Sequence, residues 1–534
     1  MIGKIEKVEQ IKRVNVMEAM LKEEPFKVPA EKKKEIIEQL RKVTNSDRVK
    51  DEPHVLAYYR GPAFNYASKM VGRRLPDIVV YPESAKEVQA ILQIASNYRV
   101  PVTTVTLQST SPGAVPYKGG IVLCLMGMKR IEKVDTDHGY AIVEPGVTIA
   151  QLMKIIRPQG YAVGKGSYYS TFSVVATLAA QSAMHNFSNR MWDQIVGLEI
   201  VTPDGSIIYT GTMAHTDCEH WTDVQGSISH IKDLFIPSSG TTGVITRAAV
   251  RIWPLLEKTA LPVFGFDTFA AAFRWSRAMA KSSMADQVTL WNWVVTGGVN
   301  YRKTERFLDF MEARMKYNQD DAPRELGLFN CFGLVQMRGY EEEIRGALRT
   351  AKRLARQYGG LYLPERELQK KLPNVWRYWS MSWKEFRCEE GDDPSMPHET
   401  VDMTTQFMGR TEEIIDVYTG LKKKFKEFGY KNWGYYTRAM NSGQAPWFRF
   451  FPPVEGTTQE DLKKSAGMRQ AIVKYVLDNY KVTVHRDDFM FNDPENPSDF
   501  ITRVKPIRRL LSAVQKEFDP EGIMNPVMKK FALL

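Results

Sequence analysis

Apolar positions in the first half of the chain recur at spacings that define short, regular units. Ile78, Val79 and Val80 make Asp77–Tyr81 a strand. Ser84 and Glu87 form a capping box that opens a helix, with Val88, Ile91, Leu92 and Ala95 on one side. Pro101–Thr106 and Ile121–Leu125 read as further strands. Tyr140–Val143 is another, cut short by Pro145-Gly146, after which Thr148 and Gln151 cap a helix carrying Ile149, Leu152, Ile155 and Ile156. A helix is expected over Ser173–Gln181. Strands Ile195–Thr202 and Ser206–Thr210 flank Pro203-Asp204-Gly205, a hairpin signal. A last strand of this half runs to Trp253, stopped by Pro254. Upstream, Ile36, Ile37, Leu40 and Val43 put one amphipathic helix at Ala30–Val43. Further on, Phe329–Met337 reads as a strand and Tyr340–Tyr358 as an amphipathic helix.

Composition narrows the class. A chain of 534 residues is too long for one core, and 43% hydrophobic with 25% charged residues is globular. No apolar run nears the roughly 18 residues of a membrane helix, and the N-terminus lacks a signal-peptide core. Membrane insertion is not expected. The four cysteines are scattered, which argues against disulfides, iron–sulfur clusters and structural zinc, and points to a reducing, cytoplasmic setting. A net charge of +11 suits an anionic cofactor or partner; basic residues are interleaved with acidic ones, so nucleic acid is not expected.

Two stretches could hold phosphates through backbone N–H groups: the Pro145-Gly146 turn, and the small-residue loop Gln108–Pro116 with its one glycine, Gly113. The first is also readable, and more readily, as an ordinary strand-turn-helix, the second as a plain solvent loop. The run His215–His220 offers four ligand types in six residues, as a metal site or as a solvated loop. Arg449 and Lys165 could hold an anionic substrate group or serve surface pairing. The aromatics Trp291, Trp293, Trp376, Tyr378, Trp379 and Trp383 of the middle stretch read as core or as a substrate cage.

In order and spacing, Leu75–Ser84, Tyr140–Thr148, Gly197–Gly205, Ser239–Thr246 and the closing Phe518–Pro526 resemble the vanillyl-alcohol oxidase and 4-cresol dehydrogenase superfamily. That resemblance implies an α+β fold: a two-subdomain PCMH-type FAD-binding domain with an inserted ferredoxin-like α+β cap. The implied plan is a lead-in segment (1–70), the FAD-binding domain (71–256), a substrate or cap domain (257–482) and a C-terminal segment (483–534) returning to the active site. Implied cofactor contacts are Gln108, Ser109, Thr110, Ser111, Gly113, Ala114, Pro145, Gly146, Thr171, Ser173, Thr177, Gly243, Val244, Ile245 and Asn525.

Val484–Asp493 resembles the segment where aryl-alcohol and alkylphenol oxidases bind a substrate phenolate through a Tyr-Arg pair. Arg486 keeps the arginine, His485 stands in for the tyrosine, Ser111 replaces the second tyrosine, and Tyr168 replaces an acid near flavin N5. The implied catalytic residues are therefore Arg486, His485 and Tyr168, with no metal. Ala445–Pro453 lacks the histidine or tyrosine that attaches FAD covalently in that group, so the resemblance implies non-covalent FAD. The implied activity is hydride transfer from a small organic substrate, an aryl or alkyl alcohol or similar activated C–H, to FAD. Electrons would then pass to oxygen or to an iron–sulfur, cytochrome or electron-transferring flavoprotein subunit; a homodimer is compatible. The cap lacks the His-rich motif of the lactate and glycolate branch, which counts against a 2-hydroxy acid. A non-catalytic subunit of the same fold is the rival that the glycine-poor loop supports.

Overall fold

The computed structural model describes residues 28–60, 75–106, 116, 118–164, 171–179, 194–215, 218, 220–222, 229–236, 238, 240–302, 304–383, 405–440, 443, 445–451, 459–484 and 505–526. Among these described residues three sheets follow one another along the chain.

The first sheet has four strands: β1 (Val49–Lys50), β2 (Ile78–Val80), β3 (Val102–Val105) and β4 (Ile121–Cys124). Their order is β1-β2-β4-β3, with β2, β4 and β3 parallel and β1 antiparallel on the edge. Helix α1 (Ala30–Val43) precedes them, α2 (Pro53–Tyr58) follows β1, and α3 (Ala85–Asn97) crosses from β2 to β3. Ser84 accepts the Glu87 N–H at the start of α3, but the expected capping box is only half formed: the Glu87 carboxylate accepts the Glu83 N–H and pairs with Arg48 instead. Val88, Ile91 and Leu92 of α3 pack with Ile36, Ile37 and Leu40 of α1 over Ile78, Val80, Ile121 and Leu123. Side chains buried this completely are worth roughly 1.5–3 kcal/mol each, which explains why parallel strands need apolar residues on both faces. The lead-in segment thus supplies a helix and an edge strand to the first core, more than a packed flank.

The second sheet comprises β5 (Ile131–Asp135), β6 (Tyr140–Val143), β7 (Tyr161–Val163), β8 (Ile195–Val201), β9 (Ile207–Tyr209) and β10 (Val244–Pro254). It is antiparallel, in the order β5-β6-β10-β8-β9, and β7 pairs with the far end of β10. The hairpin between β8 and β9 turns where Pro203-Asp204-Gly205 predicts, and Gly205 takes a φ of +88°. Helix α4 (Ile149–Ile156) has the full capping box: Thr148 Oγ1 accepts from Gln151 N–H, and Gln151 Oε1 accepts from Thr148 N–H. Helix α5 (Val174–Ala179) follows.

The third sheet has nine strands: β11 (Lys258–Ala260), β12 (Val263–Phe266), β13 (Gln287–Asn292), β14 (Cys331–Gly339), β15 (Leu361–Leu363), β16 (Thr405–Met408), β17 (Gly434–Met440), β18 (Ala445–Phe451) and β19 (Thr483–Val484). Order runs β15-β12-β14-β13-β17-β18-β16-β19, with β11 pairing β14. Successive strand residues alternate between two cores. Val288, Leu290, Val335, Tyr435, Phe448 and Phe450 face α6 (Phe269–Lys281), α9 (Glu341–Gln357), α12 (Thr411–Glu427) and α13 (Gln459–Asn479). Trp291, Phe332, Leu334, Tyr436 and Trp447 face α7 (Trp293–Tyr301), α8 (Phe307–Lys316), α10 (Glu365–Lys371) and α11 (Pro373–Trp383). A final helix, α14 (Lys505–Phe518), carries the chain back to the first sheet. Among the described residues no helix is long and apolar enough to cross a membrane.

Candidate functional site

Four of the sequence blocks converge beside the first sheet. After α14, Asp519 turns the chain by accepting the N–H groups of Ile523 and Met524. Met524 bridges Val102, whose N–H goes to Ile523 O and whose carbonyl accepts from Asn525 N–H, so the closing segment lies along β3. Asn525 is buried at a φ of +39°, a left-handed conformation that asparagine tolerates. Gln515 of α14 donates to Thr241 Oγ1 at 3.1 Å, tying the closing segment to the turn before β10. That turn presses on the sheet. A Cβ on Gly240 would sit 2.6 Å from Thr104 Oγ1, and one on Gly243 2.7 Å from Ile200.

The Pro145-Gly146 turn closes the other side. Gly146 lies where a Cβ would meet the carbonyl oxygens of Met128, Met126 and Leu125 at 2.6, 2.8 and 2.9 Å, just after β4 ends. Here the structure corrects one detail of the sequence reading: the turn does not expose its N–H groups. Gly146 N–H is donated to Met128 O, Val147 N–H to Glu144 O, and Thr148 N–H to its capping partner. Its glycine is needed for close packing. Ser173 is bound into the same turn, donating to Pro145 O at 2.6 Å and accepting the Ala176 N–H, while Ile149 and Val174 exchange backbone bonds with Phe172 and Val147. Thr177 N–H bonds Ser173 O in the first turn of α5.

Pro145, Gly146, Ser173 and Thr177 therefore form one cluster, and Gly243, Val244, Ile245 and Asn525 another. Both flank β3 and β4, the second through the closing segment along β3. Ligands of open parallel sheets lie in the crevice at the strands' carboxyl ends, with backbone close to phosphates. Gly146, Gly240 and Gly243 let these turns press directly on the segment after β4, on β3 and on β8, and the nearby acids are engaged: Glu144 accepts from Arg130 Nη2 at 2.7 Å and Nε at 3.0 Å, and Asp519 caps its own turn. Thr171 begins the described part of the strand-to-helix link; Gln108, Ser109, Thr110, Ser111, Gly113, Ala114, Tyr168, His485 and Arg486 lie outside the described residues, as does Lys165. Val484, the residue before His485 in sequence, pairs with Phe407.

Of the cap aromatics, Trp291, Trp293, Tyr378 and Trp379 are buried core. His215, Cys218 and His220 are described, and no group of three or more His, Cys, Asp or Glu side chains among the described residues could hold a metal ion. Sequence reading missed a polar row in the third sheet. Gln287, Thr289, Gln336 and Arg438 are all buried on the face that carries Trp291 and Trp447. The signal was available in Gln287–Leu290 and Val335–Arg338, where polar and apolar residues alternate with period two.

The parallel first sheet, the antiparallel second sheet and the returning C-terminal segment pack as one unit, interrupted in sequence by the third sheet. Residues 76–211 match the FAD binding domain family. Over 254 residues the chain is 28% identical to mitochondrial D-lactate dehydrogenase [cytochrome] of Arabidopsis thaliana, covering 47% of this chain and 42% of that one. It spans under half the length of the first curated relatives it matches. In three dimensions it resembles p-cresol methylhydroxylase with substrate bound (TM-score 0.75, 16% identity, 95% of this chain and 98% of that one). It also resembles 4-ethylphenol oxidase from Gulosibacter chungangensis in an isoeugenol complex (TM-score 0.70, 17% identity, 94% and 98%). Residues 76–211 thus form an FAD binding domain, its cofactor is FAD, and the chain shares the fold of p-cresol methylhydroxylase and 4-ethylphenol oxidase.

Proposed function

We propose that the protein is an FAD-dependent oxidoreductase that removes hydride from a C–H bond of a small organic substrate, an aryl or alkyl alcohol or similarly activated carbon. The observation that carries this reading is the FAD binding domain match over 76–211, the stretch from just before β2 to just past β9. Bound FAD supplies a two-electron acceptor at its N5. The chain must then hold the substrate, stabilise the charge left on it and take up one proton. Arg486, always charged, is the residue proposed for the charge, and His485 or Tyr168 for the proton. FAD is held without a covalent bond in this reading, because β18 (Ala445–Phe451) carries no histidine or tyrosine. Electrons leave to oxygen or to a separate acceptor protein.

Oxidation of a 2-hydroxy acid is a second reading. It draws support from the lactate dehydrogenase relatives, against the missing His-rich motif.

The test is a screen of the flavin-loaded protein with alcohols, alkylphenols and 2-hydroxy acids, using a dye acceptor. Arg486→Ala should lower kcat/KM on the best substrate roughly 10²-fold with FAD still bound. Wild-type turnover by that variant would remove Arg486 from the mechanism.

A further inference from the structure

One line of polar groups runs from the surface of the third sheet's helix-covered core to a buried sulfur. Cys331 opens β14 at 1% exposure, and its Sγ lies 2.9 Å from Tyr435 Oη on β17. The Tyr435 ring meets Tyr418 of α12 edge-on, 5.4 Å between centroids. Tyr418 is 4% exposed, yet its hydroxyl donates to Asp320 Oδ1, and the Lys422 ammonium pairs with Oδ2 of the same carboxylate. Asp320 and Lys422 reach water, their side chains 40% and 35% exposed. Phe269 stacks on Tyr418 at 4.2 Å and Phe448 lies 5.6 Å from Tyr435, so phenylalanine would suit both tyrosine positions as packing. Hydroxyls kept in such a place serve something else.

The carboxylate is held from behind. Asn330 donates through Nδ2 to Asp320 O at 2.6 Å and accepts the Ala322 N–H at 2.7 Å. Gln319 Oε1 accepts the Trp433 N–H at 2.8 Å, which fixes the residue before Asp320. The Trp433 ring is itself 6.0 Å from Tyr418. Cys331, Tyr435 and Trp433, all oxidisable, are thus grouped near one tyrosine whose proton already points at a base. Burial, and after it the Asp320 charge, push the Tyr418 hydroxyl well above its ordinary pKa, so the resting phenol keeps its proton. Loss of an electron reverses that preference, because an oxidised phenol is a strong acid. With a carboxylate in contact the proton leaves in the same step, and the buried ring carries no charge. Other tyrosines lack part of this arrangement. Tyr59 meets Cys124 Sγ at 3.3 Å rather than a carboxylate, and the Tyr317 bond to Glu325, 2.6 Å long, is exposed.

We infer that Tyr418 is a redox-active tyrosine that collects one-electron oxidising equivalents from this core, with Asp320 as its proton acceptor. A strong one-electron oxidant such as a peroxyl radical takes an electron from Cys331, Tyr435 or Trp433 and becomes the hydroperoxide anion. Tyr418 refills that hole. Its O–H bond breaks, an O–H bond forms on Asp320, and a neutral phenoxyl radical is left. A small soluble reductant such as ascorbate returns the electron, and Asp320 returns the proton. Lys422 opposes the step, since its ammonium favours the ionised carboxylate.

The experiment uses the full chain loaded with FAD, flashed with ruthenium tris-bipyridine as photo-oxidant and persulfate as electron sink, then frozen at set times for electron paramagnetic resonance. Wild type should show a neutral tyrosyl signal, and the part that Tyr418→Phe removes belongs to Tyr418. Asp320→Asn keeps an oxygen for the hydroxyl but is no base, so this component should form roughly 10²-fold more slowly. Lys422→Met should enlarge it, Tyr59→Phe should leave it unchanged, and ascorbate added before freezing should erase it. If Tyr418→Phe does not fold, a ring-fluorinated tyrosine at the same position marks the radical by its fluorine splitting. A signal that Tyr418→Phe leaves whole, that shows no fluorine splitting, that forms as fast in Asp320→Asn, or that Lys422→Met does not enlarge would overturn the proposal.

Discussion

Gly146→Ala is the sharpest probe of how the crevice is built. The added Cβ would stand 2.6–2.9 Å from three main-chain carbonyl oxygens, those of Met128, Met126 and Leu125. Ordinary contact is near 3.4 Å or more, so the turn must withdraw by about half an ångström or more, and main chain yields less readily than a flexible side chain. Overpacking of this kind costs about 1–3 kcal/mol. Withdrawal also stretches the Gly146 N–H bond to Met128 O, worth roughly 1 kcal/mol. The sum is about 2–4 kcal/mol, concentrated on the unit that links β4, Pro145 and Ser173. Urea unfolding read by circular dichroism and by flavin release should show flavin leaving at lower urea in the variant. A matched control is Gly298→Ala in helix α7, where a Cβ meets nothing within 4 Å. Alanine should stabilise that helix by about 0.5–1 kcal/mol. Equal urea midpoints for Gly146→Ala and wild type would refute the steric argument.

Three further outcomes follow from the structure. Asp135 is partly desolvated, which raises its pKa, but the His138 N–H, the Lys133 ammonium and the His138 ring outweigh this and hold the carboxyl below the usual range. A depressed pKa stabilises the fold above the unfolded value of about 3.9, and that contribution fades as pH falls through the folded value. Asp135→Asn should therefore lower the Tm at pH 7 and make it less sensitive to acid below about pH 4; an unchanged acid limb would contradict this. Burial pushes the Cys331 thiol up to about 12, with a lesser opposing pull from the Tyr435 hydroxyl. Of Cys124, Cys218 and Cys331, only half-exposed Cys218 should be alkylated by iodoacetamide at pH 8, and modified Cys331 in native protein, found by peptide mass spectrometry, would contradict the burial. Acid precipitation should leave all the flavin in solution; yellow protein in the pellet would show a covalent bond.

Much of the flavin-binding half was legible because its elements are local and strongly patterned. Ser84, Thr148 and Gly205 each announce a cap or turn, and the strands carry unbroken apolar runs that only a doubly covered sheet explains. The closing segment's place along β3 was not readable from periodicity, because Val102 and Met524 are far apart in sequence; the resemblance alone suggested it. Exposed N–H groups at Pro145-Gly146 were misread, since the sequence cannot show that Met128 O accepts one of them. Of the third sheet and the helices packed on it, one strand and one helix were read. Its strands serve two cores at once, so their alternation of apolar with apolar residues gives little contrast. Where contrast did exist, at Gln287, Thr289, Gln336 and Arg438, the polar residues lie on separate strands and become a row only when those strands pair.

Equilibrium titration of the purified full chain with FAD, read by quenching of flavin fluorescence and by the absorbance bands of bound flavin, tests the central claim most directly. One FAD per chain is expected, with bound flavin that anaerobic dithionite bleaches and a dye acceptor restores. A chain that stays colourless and leaves flavin fluorescence unquenched at every concentration would contradict it.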